Sequence, residues 1–99
     1  MVHVKVEFVG GMDLLFGGKK DADIEVQAPE GSSVTIVDVM VHCRDTLLTE
    51  RPELFMKGST VRPGILVLVN DADWELLGTT EAEIEDGDRI VFISTLHGG

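Results

Sequence analysis

The chain has 99 residues, 43% of them hydrophobic and 26% charged, which suits one globular domain with a single modest core. Its formal net charge is −10, from 18 acidic against 8 basic residues, and this balance argues against direct nucleic-acid binding, which depends on Lys and Arg contacts to phosphates. No apolar run approaches the roughly 20 residues of a membrane-spanning helix, and the N-terminus lacks the pattern of a secretory signal peptide.

The N-terminal third predicts a wide hairpin. Apolar and polar residues alternate over residues 2–8, as in a half-buried strand. Two glycine pairs, Gly10-Gly11 and Gly17-Gly18, then enclose a small apolar element at residues 12–16. A second alternating run over residues 23–28 ends at a Pro-Glu-Gly turn. We therefore expect two paired strands joined by a glycine-hinged connection.

A change of period after residue 34 predicts a helix. Thr35 followed three residues later by Asp38 resembles a capping box, and Val34 precedes the cap as in a hydrophobic staple. The apolar stripe consists of Val37, Val41 and Leu48, with Met40 and Leu47 beside it. We expect this stripe to face the core and the helix to end before Pro52.

The second half predicts strands separated by irregular segments. Residues 49–64 carry turn signals, and Leu54 or Phe55 is expected to cover the core there. Residues 65–69 are apolar without alternation, which predicts a strand covered on both faces. Trp74-Glu75-Leu76-Leu77 predicts a short strand that stops at a glycine.

An acidic connection over residues 81–88 leads to the last predicted strand, residues 89–95. The simplest arrangement pairs the first and last strands in parallel, with the helix across one face. This is the α+β arrangement called the β-grasp, with a mixed sheet of four to five strands and one main helix. We expect residues 1–95 to form that domain and residues 96–99 to be a flexible tail.

The residues predict no catalytic or metal site within the domain. Gly18-Lys19 lacks the upstream glycine and the following Ser or Thr of a P-loop, and the acidic turn at residues 71–73 lacks the downstream glycine and glutamate of a calcium loop. Cys43 is the single cysteine, and we expect it to be a core residue rather than a nucleophile paired with His42. One cysteine without a disulfide partner fits a cytoplasmic protein.

The reactive group is expected at the C-terminus. The sequence ends in Gly98-Gly99, which chance produces roughly once in 200 chains. The carboxylate of Gly99 has a reference pKa of about 3.5 and is a poor acyl donor. Once ATP activates its oxygen as an acyl-adenylate, a sulfur or amine nucleophile can attack it. Glycines leave the tip slender enough to enter a narrow channel in a partner.

Two blocks of sequence resemble the eukaryotic ubiquitin-related modifiers that carry sulfur for transfer-RNA thiolation. One block is Asn70-Asp71-Ala72-Asp73-Trp74-Glu75-Leu76-Leu77-Gly78, and the other is Phe92-Ile93-Ser94-Thr95-Leu96-His97-Gly98-Gly99. The similarity covers the whole chain, including residues 62–70 and the turn Asp86-Gly87-Asp88, and is looser in the N-terminal hairpin and at residues 49–60.

The resemblance implies a substrate protein rather than an enzyme, with no bound cofactor. An activating enzyme with adenylation and rhodanese-like domains would consume ATP, adenylate Gly99 and convert it to a thiocarboxylate. A cytosolic thiouridylase complex would use that sulfur on the wobble uridine of certain transfer RNAs. The family also forms isopeptide bonds from its last glycine to lysines of target proteins. Gly99 carries over as the reactive residue and Gly98 as the threading residue, and we expect His97 and Leu96 to take part in threading the tail. We expect a monomer.

Two other functions stay open: a non-covalent ubiquitin-fold binding module with an incidental diglycine, and a sulfur carrier of a cofactor pathway. Trp74 is expected to be either a lid on the core or a partner contact, and Phe92 is a further candidate partner contact. Either Ile90 with Phe92 or Val91 with Ile93 must face away from the helix, and the sequence leaves open which pair does.

Overall fold

One α-helix packs across a five-stranded mixed sheet. The structure is a computed structural model that describes residues 1–49, 52–58 and 60–94. The strands are β1 (Val2–Val9), β2 (Asp21–Val26), β3 (Met56–Lys57), β4 (Thr60–Val61), β5 (Ile65–Val69), β6 (Ala72–Asp73) and β7 (Arg89–Ser94). The helix α1 spans Ile36–Thr46, and short 3-10 helices cover Met12–Phe16, Pro52–Leu54, Trp74–Leu76 and Thr79–Glu81. Within the described residues, no helix is long and apolar enough to cross a bilayer.

The first and last strands lie side by side at the centre of the sheet. The strand order is β2-β1-β7-β5-β6, with β3 and β4 forming a separate small hairpin. β1 runs parallel to β7, with Lys5 opposite Arg89 and Val9 opposite Ile93. The other strand pairs are antiparallel. The predicted parallel pairing is confirmed, and this is the topology of the β-grasp.

The helix begins at the predicted cap but is rotated relative to the predicted stripe. The Thr35 backbone N–H donates to Asp38 Oδ2 at 2.9 Å, which completes the capping box. The buried face consists of Ile36, Val39, Met40 and Cys43, whereas Val37 and Val41 are only half-buried. The loop before β7 sets this rotation, because the Ile36 N–H donates to the Ala82 carbonyl at 3.0 Å and so docks the first turn.

Four phenylalanines join the separate parts of the core. The ring centroids are 3.9 Å apart for Phe8 and Phe16, 5.2 Å for Phe16 and Phe55, and 5.3 Å for Phe55 and Phe92. Phe55 is fully buried and Leu54 is half-exposed, so Phe55 is the residue of the irregular segment that covers the core. The cluster ties the glycine-hinged connection and the region before β3 to the two central strands.

The predicted strand at Trp74-Glu75-Leu76-Leu77 is wrong. Asn70 and Asp71 both have positive φ, 49° and 70°, which makes a tight hairpin turn, so β6 begins earlier than predicted. Asp73 then accepts a hydrogen bond from the Glu75 N–H at 2.9 Å and caps a 3-10 helix instead. The prediction that both faces of β5 are covered is also wrong in part, because Leu66 and Leu68 are half-exposed.

Candidate functional site

The candidate site is the end of β7, from which the sequence continues toward Gly99. Thr95 to Gly99 lie outside the described residues, so the roles given to Leu96, His97, Gly98 and Gly99, and the domain boundary after residue 95, stay predictions. Ser94 is the last described residue, and β7 pairs with β1 on one side and β5 on the other along its length. Ile93 is therefore held by a strand on each side, and Ser94 is held by β5.

Gly10 allows the turn after β1 to pack against that point. Its φ is +71°, and a Cβ atom at this position would overlap the Ser94 carbonyl oxygen. Gly11 also has a positive φ, +93°, but a Cβ atom there would meet nothing. Both glycines allow a positive φ, but only Gly10 also packs against the end of β7.

An apolar patch covers the face of the sheet opposite the helix, next to the same point. Register places Val9 and Leu66 on either side of Ile93, and Leu68 beside Val91. We call these five side chains the outer patch. Val91 is only 6% exposed, yet it lies outside the core cluster, so its neighbours on this face cover it. Val91 and Ile93 are thus the pair that faces away from the helix, which answers the question that the sequence left open.

The two residues predicted as partner contacts are buried. Phe92 is fully buried because it points to the helix side with Ile90 and joins the phenylalanine cluster. Trp74 is 7% exposed and belongs to the core cluster. The expectation that Trp74 covers the core is confirmed. The assignment of either ring to a free partner surface is wrong, since a partner could reach these rings only by displacing core packing.

A second apolar surface borders the end of β7, and the sequence reasoning missed it. It is a groove of 270 Å³, which we call the exit groove, lined by Gly10, Met12, Leu14, Leu54, Arg62 and Ser94 among others. Leu14 is 70% exposed, although it belongs to an apolar element held between two glycine pairs. The available signal was the presence of four apolar residues among the five of Met12–Phe16, because a short loop needs few such residues to cover a core.

Charge is distributed unevenly around the site. The acidic residues of segment 71–88 are Asp71, Asp73, Glu75, Glu81, Glu83, Glu85, Asp86 and Asp88. This segment, which we call the acidic segment, has no basic residue, and the remaining residues hold ten acids and eight bases. Both of its ends lie at the start of β7, since Asn70 donates to the Arg89 carbonyl at 2.8 Å and Asp88 precedes Arg89 directly. Nearly all of the net charge therefore sits in a segment joined to the other end of β7.

Comparison with known proteins decides the family. A family model described as Urm1 (Ubiquitin related modifier) matches residues 3–99. The chain belongs to the Urm1 family. The ubiquitin-related modifier 1 homolog of Chlamydomonas reinhardtii is 60% identical over 99 residues and is aligned over 100% of both chains. Ubiquitin-related modifier 1 of Homo sapiens is 51% identical over 98 residues, which cover 99% of this chain and 96% of the relative.

A solved structure agrees with the assignment. The solution structure of Urm1 from Trypanosoma brucei matches with a TM-score of 0.81 at 39% identity, covering 98% of this chain and 95% of that one. Both the predicted family and the predicted β-grasp fold are thereby confirmed for this ubiquitin-like chain.

Inside this Urm1-family domain, the single cysteine is not poised to react. Cys43 is fully buried on the inner face of α1, and burial raises the pKa of its thiol to about 12. The thiolate, which is the nucleophilic form, is therefore not available near neutral pH. The prediction of a core cysteine is confirmed. In the part of the chain that the structure describes, no cluster of His, Cys, Asp or Glu has the geometry to hold a metal ion.

The far end of the sheet in this Urm1-family chain carries an ionic network. His3 Nε2 lies 2.6 Å from Glu25 Oε1, and His3 Nδ1 lies 3.1 Å from Asp86 Oδ1. Hydrogen bonds of the His3 ring to Asp86 and then to Glu25 raise the pKa of His3, and the hydrogen bond that Asp86 accepts from the His3 backbone N–H lowers the pKa of Asp86. This network joins β1, β2 and the acidic segment at the end of the sheet that is remote from Ser94.

Proposed function

We propose that this chain is a sulfur carrier and protein modifier that reacts through the carboxylate of Gly99. The carboxylate oxygen attacks the α-phosphorus of ATP in an activating enzyme, which releases pyrophosphate and leaves an acyl-adenylate. A persulfide sulfur of that enzyme attacks the acyl carbon and AMP leaves. A thiol then cleaves the sulfur–sulfur bond, so that the modifier departs as a thiocarboxylate and the enzyme keeps a disulfide.

The proposal extends to two fates of the activated end. A cytoplasmic thiouridylase complex takes the thiocarboxylate sulfur for the wobble uridine of transfer RNAs. Alternatively, the amine of a target lysine attacks the activated carbonyl and forms an isopeptide bond to Gly99. Both reactions need the same acyl carbon, and the catalytic groups for both belong to partners.

The observation that carries the proposal is the fixed departure point of a diglycine tail in an Urm1-family chain. β7 is held between β1 and β5 up to Ile93 and by β5 at Ser94, and five residues of sequence, Thr95 to Gly99, follow Ser94. The Chlamydomonas relative is aligned over the whole of both chains, so Gly99 falls at that relative's own C-terminal end. A fixed base and a short tail define the distance between a docked domain and the atom that reacts.

The outer patch is the surface that best suits the activating enzyme. It offers four partly or well exposed aliphatic side chains around the buried Val91, next to the end of β7, and Val9 is 44% exposed within it. Contiguous exposed apolar surface on a small domain is typical of a protein interface. An enzyme seated there would receive the tail directly from the adjacent end of β7.

Intact mass spectrometry tests the proposed chemistry. The chain is incubated with an activating enzyme, ATP and a sulfur donor, beside a matched chain that lacks only Gly99. We expect the full chain to gain the mass of one oxygen-to-sulfur exchange, with fragmentation placing sulfur on the C-terminal residue. A full chain that stays unchanged, or a shortened chain that reacts equally, would refute the carrier role and favour a non-covalent binding module.

The sulfur recipient separates transfer-RNA thiolation from a cofactor pathway. Because the chain carries a net charge of −10, we propose that it does not bind transfer RNA itself and that the thiouridylase does. The purified chain should leave the electrophoretic mobility of transfer RNA unchanged at low salt. Isotopically labelled thiocarboxylate should pass its sulfur to transfer RNA only when the thiouridylase is added. Transfer to a pterin or thiazole precursor instead would support the cofactor pathway.

A further inference from the structure

The sheet has an open edge at β2. This strand pairs with β1 on one side, and among the described residues no strand pairs with its other side. The Phe8 N–H donates to the Lys20 carbonyl at 2.8 Å, which fixes the alternation of hydrogen-bonded pairs along the two antiparallel strands. The residues that turn their backbone N–H and C=O groups away from β1 are therefore Asp21, Asp23 and Glu25.

The same alternation follows from the other side of β1. The Lys5 N–H donates to the Asp88 carbonyl at 3.1 Å, so odd-numbered residues of β1 direct their backbone groups toward β7. Even-numbered residues of β1 therefore form the backbone hydrogen bonds with β2. Two independent hydrogen bonds thus assign the same three residues to the open edge.

A groove lies between the end of β2 and α1. Its volume is 370 Å³, and it is lined by Val26, Gln27, Asp38, Val41, Asp45 and Thr46 among others. Val41 belongs to the helical stripe that the sequence assigned to the core, but it is half-buried and borders the groove. The rotation of α1 that buries Met40 and Cys43 thus leaves an apolar side chain beside the open edge.

The side chains of the open edge all carry the same charge. Asp21, Asp23 and Glu25 are exposed on the outer face of the sheet, while Ile24 and Val26 face the helix. Glu25 pairs with His3, and no ion pair joins Asp21 or Asp23 to any other described residue. An additional strand would therefore meet negative charge on one face. On the other face it would meet a groove whose apolar side chains are Val26 and Val41 and whose polar lining includes Asp38 and Asp45.

We propose that the open edge of β2 binds an extended partner segment in which basic and apolar residues alternate. Side chains of a strand point alternately to the two faces, so basic residues would lie opposite Asp21, Asp23 and Glu25 while apolar residues enter the groove beside Val26 and Val41. Backbone hydrogen bonds to the outward N–H and C=O groups supply affinity that is independent of sequence, and the alternation supplies selectivity.

The charge of the edge argues against a second copy of the chain as occupant. Two β2 strands paired edge to edge would bring acidic side chains opposite acidic side chains, which destabilises cross-strand pairs. Charged residues on an edge strand commonly prevent such pairing. The same three carboxylates therefore exclude self-association and admit a basic strand.

The test is a nuclear magnetic resonance titration of the full ¹⁵N-labelled chain. The probe is a short peptide in which lysine and valine alternate, and its matched control alternates glutamate and valine. We expect the lysine peptide to shift the amide signals of the three edge residues and of Val41, and to slow hydrogen exchange at the edge amides about tenfold or more. Equal binding of the glutamate peptide, or equal shifts across the acidic segment, would overturn the proposal.

Substitutions at Asp23 separate the backbone contribution from the charge. Asp23→Pro removes one outward N–H without touching the β1 ladder, and prolines are tolerated at such edge positions. Asp23→Asn removes the charge at the same position and keeps the N–H. We expect the proline variant to bind the lysine peptide about tenfold more weakly than the asparagine variant. Equal affinity in the two would contradict strand addition.

A charge reversal covers the case in which the proline variant fails to fold. Changing Asp21→Lys and Asp23→Lys together should exchange the peptide preference, so that the glutamate peptide binds and the lysine peptide does not. Deleting Gly98 and Gly99 should leave peptide binding unchanged, which separates this surface from the proposed acyl chemistry. Sedimentation of the wild-type chain should show a monomer, and a dimer abolished by Asp23→Pro would assign the edge to a second copy and overturn the proposal.

Discussion

The two ends of β7 differ in almost every surface property. Ser94 lies among the outer patch and the exit groove, where the exposed side chains are largely aliphatic. Arg89 lies about 17 Å away along the strand, among Asp71, Asp88 and Asn70. The net charge of −10 is thus concentrated away from the point at which the tail departs. An end without excess negative charge can approach an anionic nucleotide with little repulsion, and a remote acidic segment can still steer the encounter with a basic partner.

The largest expected effect of a substitution is on stability at the tail end. Phe92→Ala should lower the free energy of unfolding by about 3–5 kcal/mol, because it opens a cavity among the four phenylalanines. Leu76→Ala in the acidic segment should change it by less than about 0.5 kcal/mol, because Leu76 is 81% exposed. Chemical denaturation of both variants gives the two values. Similar losses would mean that the acidic segment is as tightly packed as the core of the tail end.

Activation should also distinguish the two regions. Ile93→Gln replaces an aliphatic side chain of the outer patch with a polar one of similar length, and Leu76→Gln does the same in the acidic segment. If the activating enzyme docks on the outer patch, Ile93→Gln should lower kcat/KM for adenylation about 30-fold, the effect of losing a central contact of about 2 kcal/mol.

The Leu76 variant should be activated like the wild type, and both variants should show native-like circular dichroism. Full activity of the Ile93 variant would place the docking surface elsewhere. Loss of activity in the Leu76 variant alone would move it to the acidic segment.

A smaller effect is expected when the two glycines at the turn after β1 are substituted, and the loss of stability should differ between them. Gly11→Ala places an L residue at a φ of +93° in open space and should lower the free energy of unfolding by about 1–2 kcal/mol. Gly10→Ala adds overlap with the Ser94 carbonyl and should cost about 1 kcal/mol or more beyond that. The excess is the energetic cost of moving the end of β7, and thermal denaturation measures it. Equal losses would show that Ser94 is not held in place by this contact.

Most of the architecture could be predicted because local patterns agree with the global fold. The alternation in β1, the Thr35 and Asp38 cap and the glycine-hinged connection each depend on neighbours a few residues away. The rotation of α1 could not be predicted, since its burial is decided by the Ala82 carbonyl, 46 positions from the helix start at Ile36. The 3-10 helix at Trp74 was missed because Asn70 and Asp71 both adopt positive φ and shorten the hairpin.

The candidate site was predictable from the sequence only in part. The sequence predicted a central last strand, which the register of β7 confirms up to Ser94, whereas the tail beyond it stays a prediction. It did not reveal which face of that strand is outside, because Ile90, Val91, Phe92 and Ile93 are all apolar and periodicity gives no sign. Only the position of the helix on one face of the sheet makes Phe92 a core residue and Ile93 a surface residue.

The smallest expected effect lies at the acidic end and depends on pH. The pKa of His3 is raised above its ordinary value of 6.5, so its stabilising contribution is present below that value and is lost as pH rises through the raised pKa. The pKa of Asp86 is lowered below 3.8, so its contribution is present above 3.8 and is lost as pH falls through the lowered pKa. The contact between the two should therefore stabilise the fold most between those two ordinary values.

His3→Gln keeps a hydrogen-bonding side chain but removes the titration. We expect the Tm of this variant to fall below that of the wild type at about pH 5, and the difference to shrink as pH rises through the raised pKa of His3. Asp86→Asn should reproduce the pattern, whereas Gly11→Ala, at the other end of the sheet, should show a difference that does not vary with pH. If the difference in Tm between His3→Gln and the wild type stays constant as pH rises from pH 5, the ring is held by shape rather than by charge. The two ends of the sheet would then differ in burial alone.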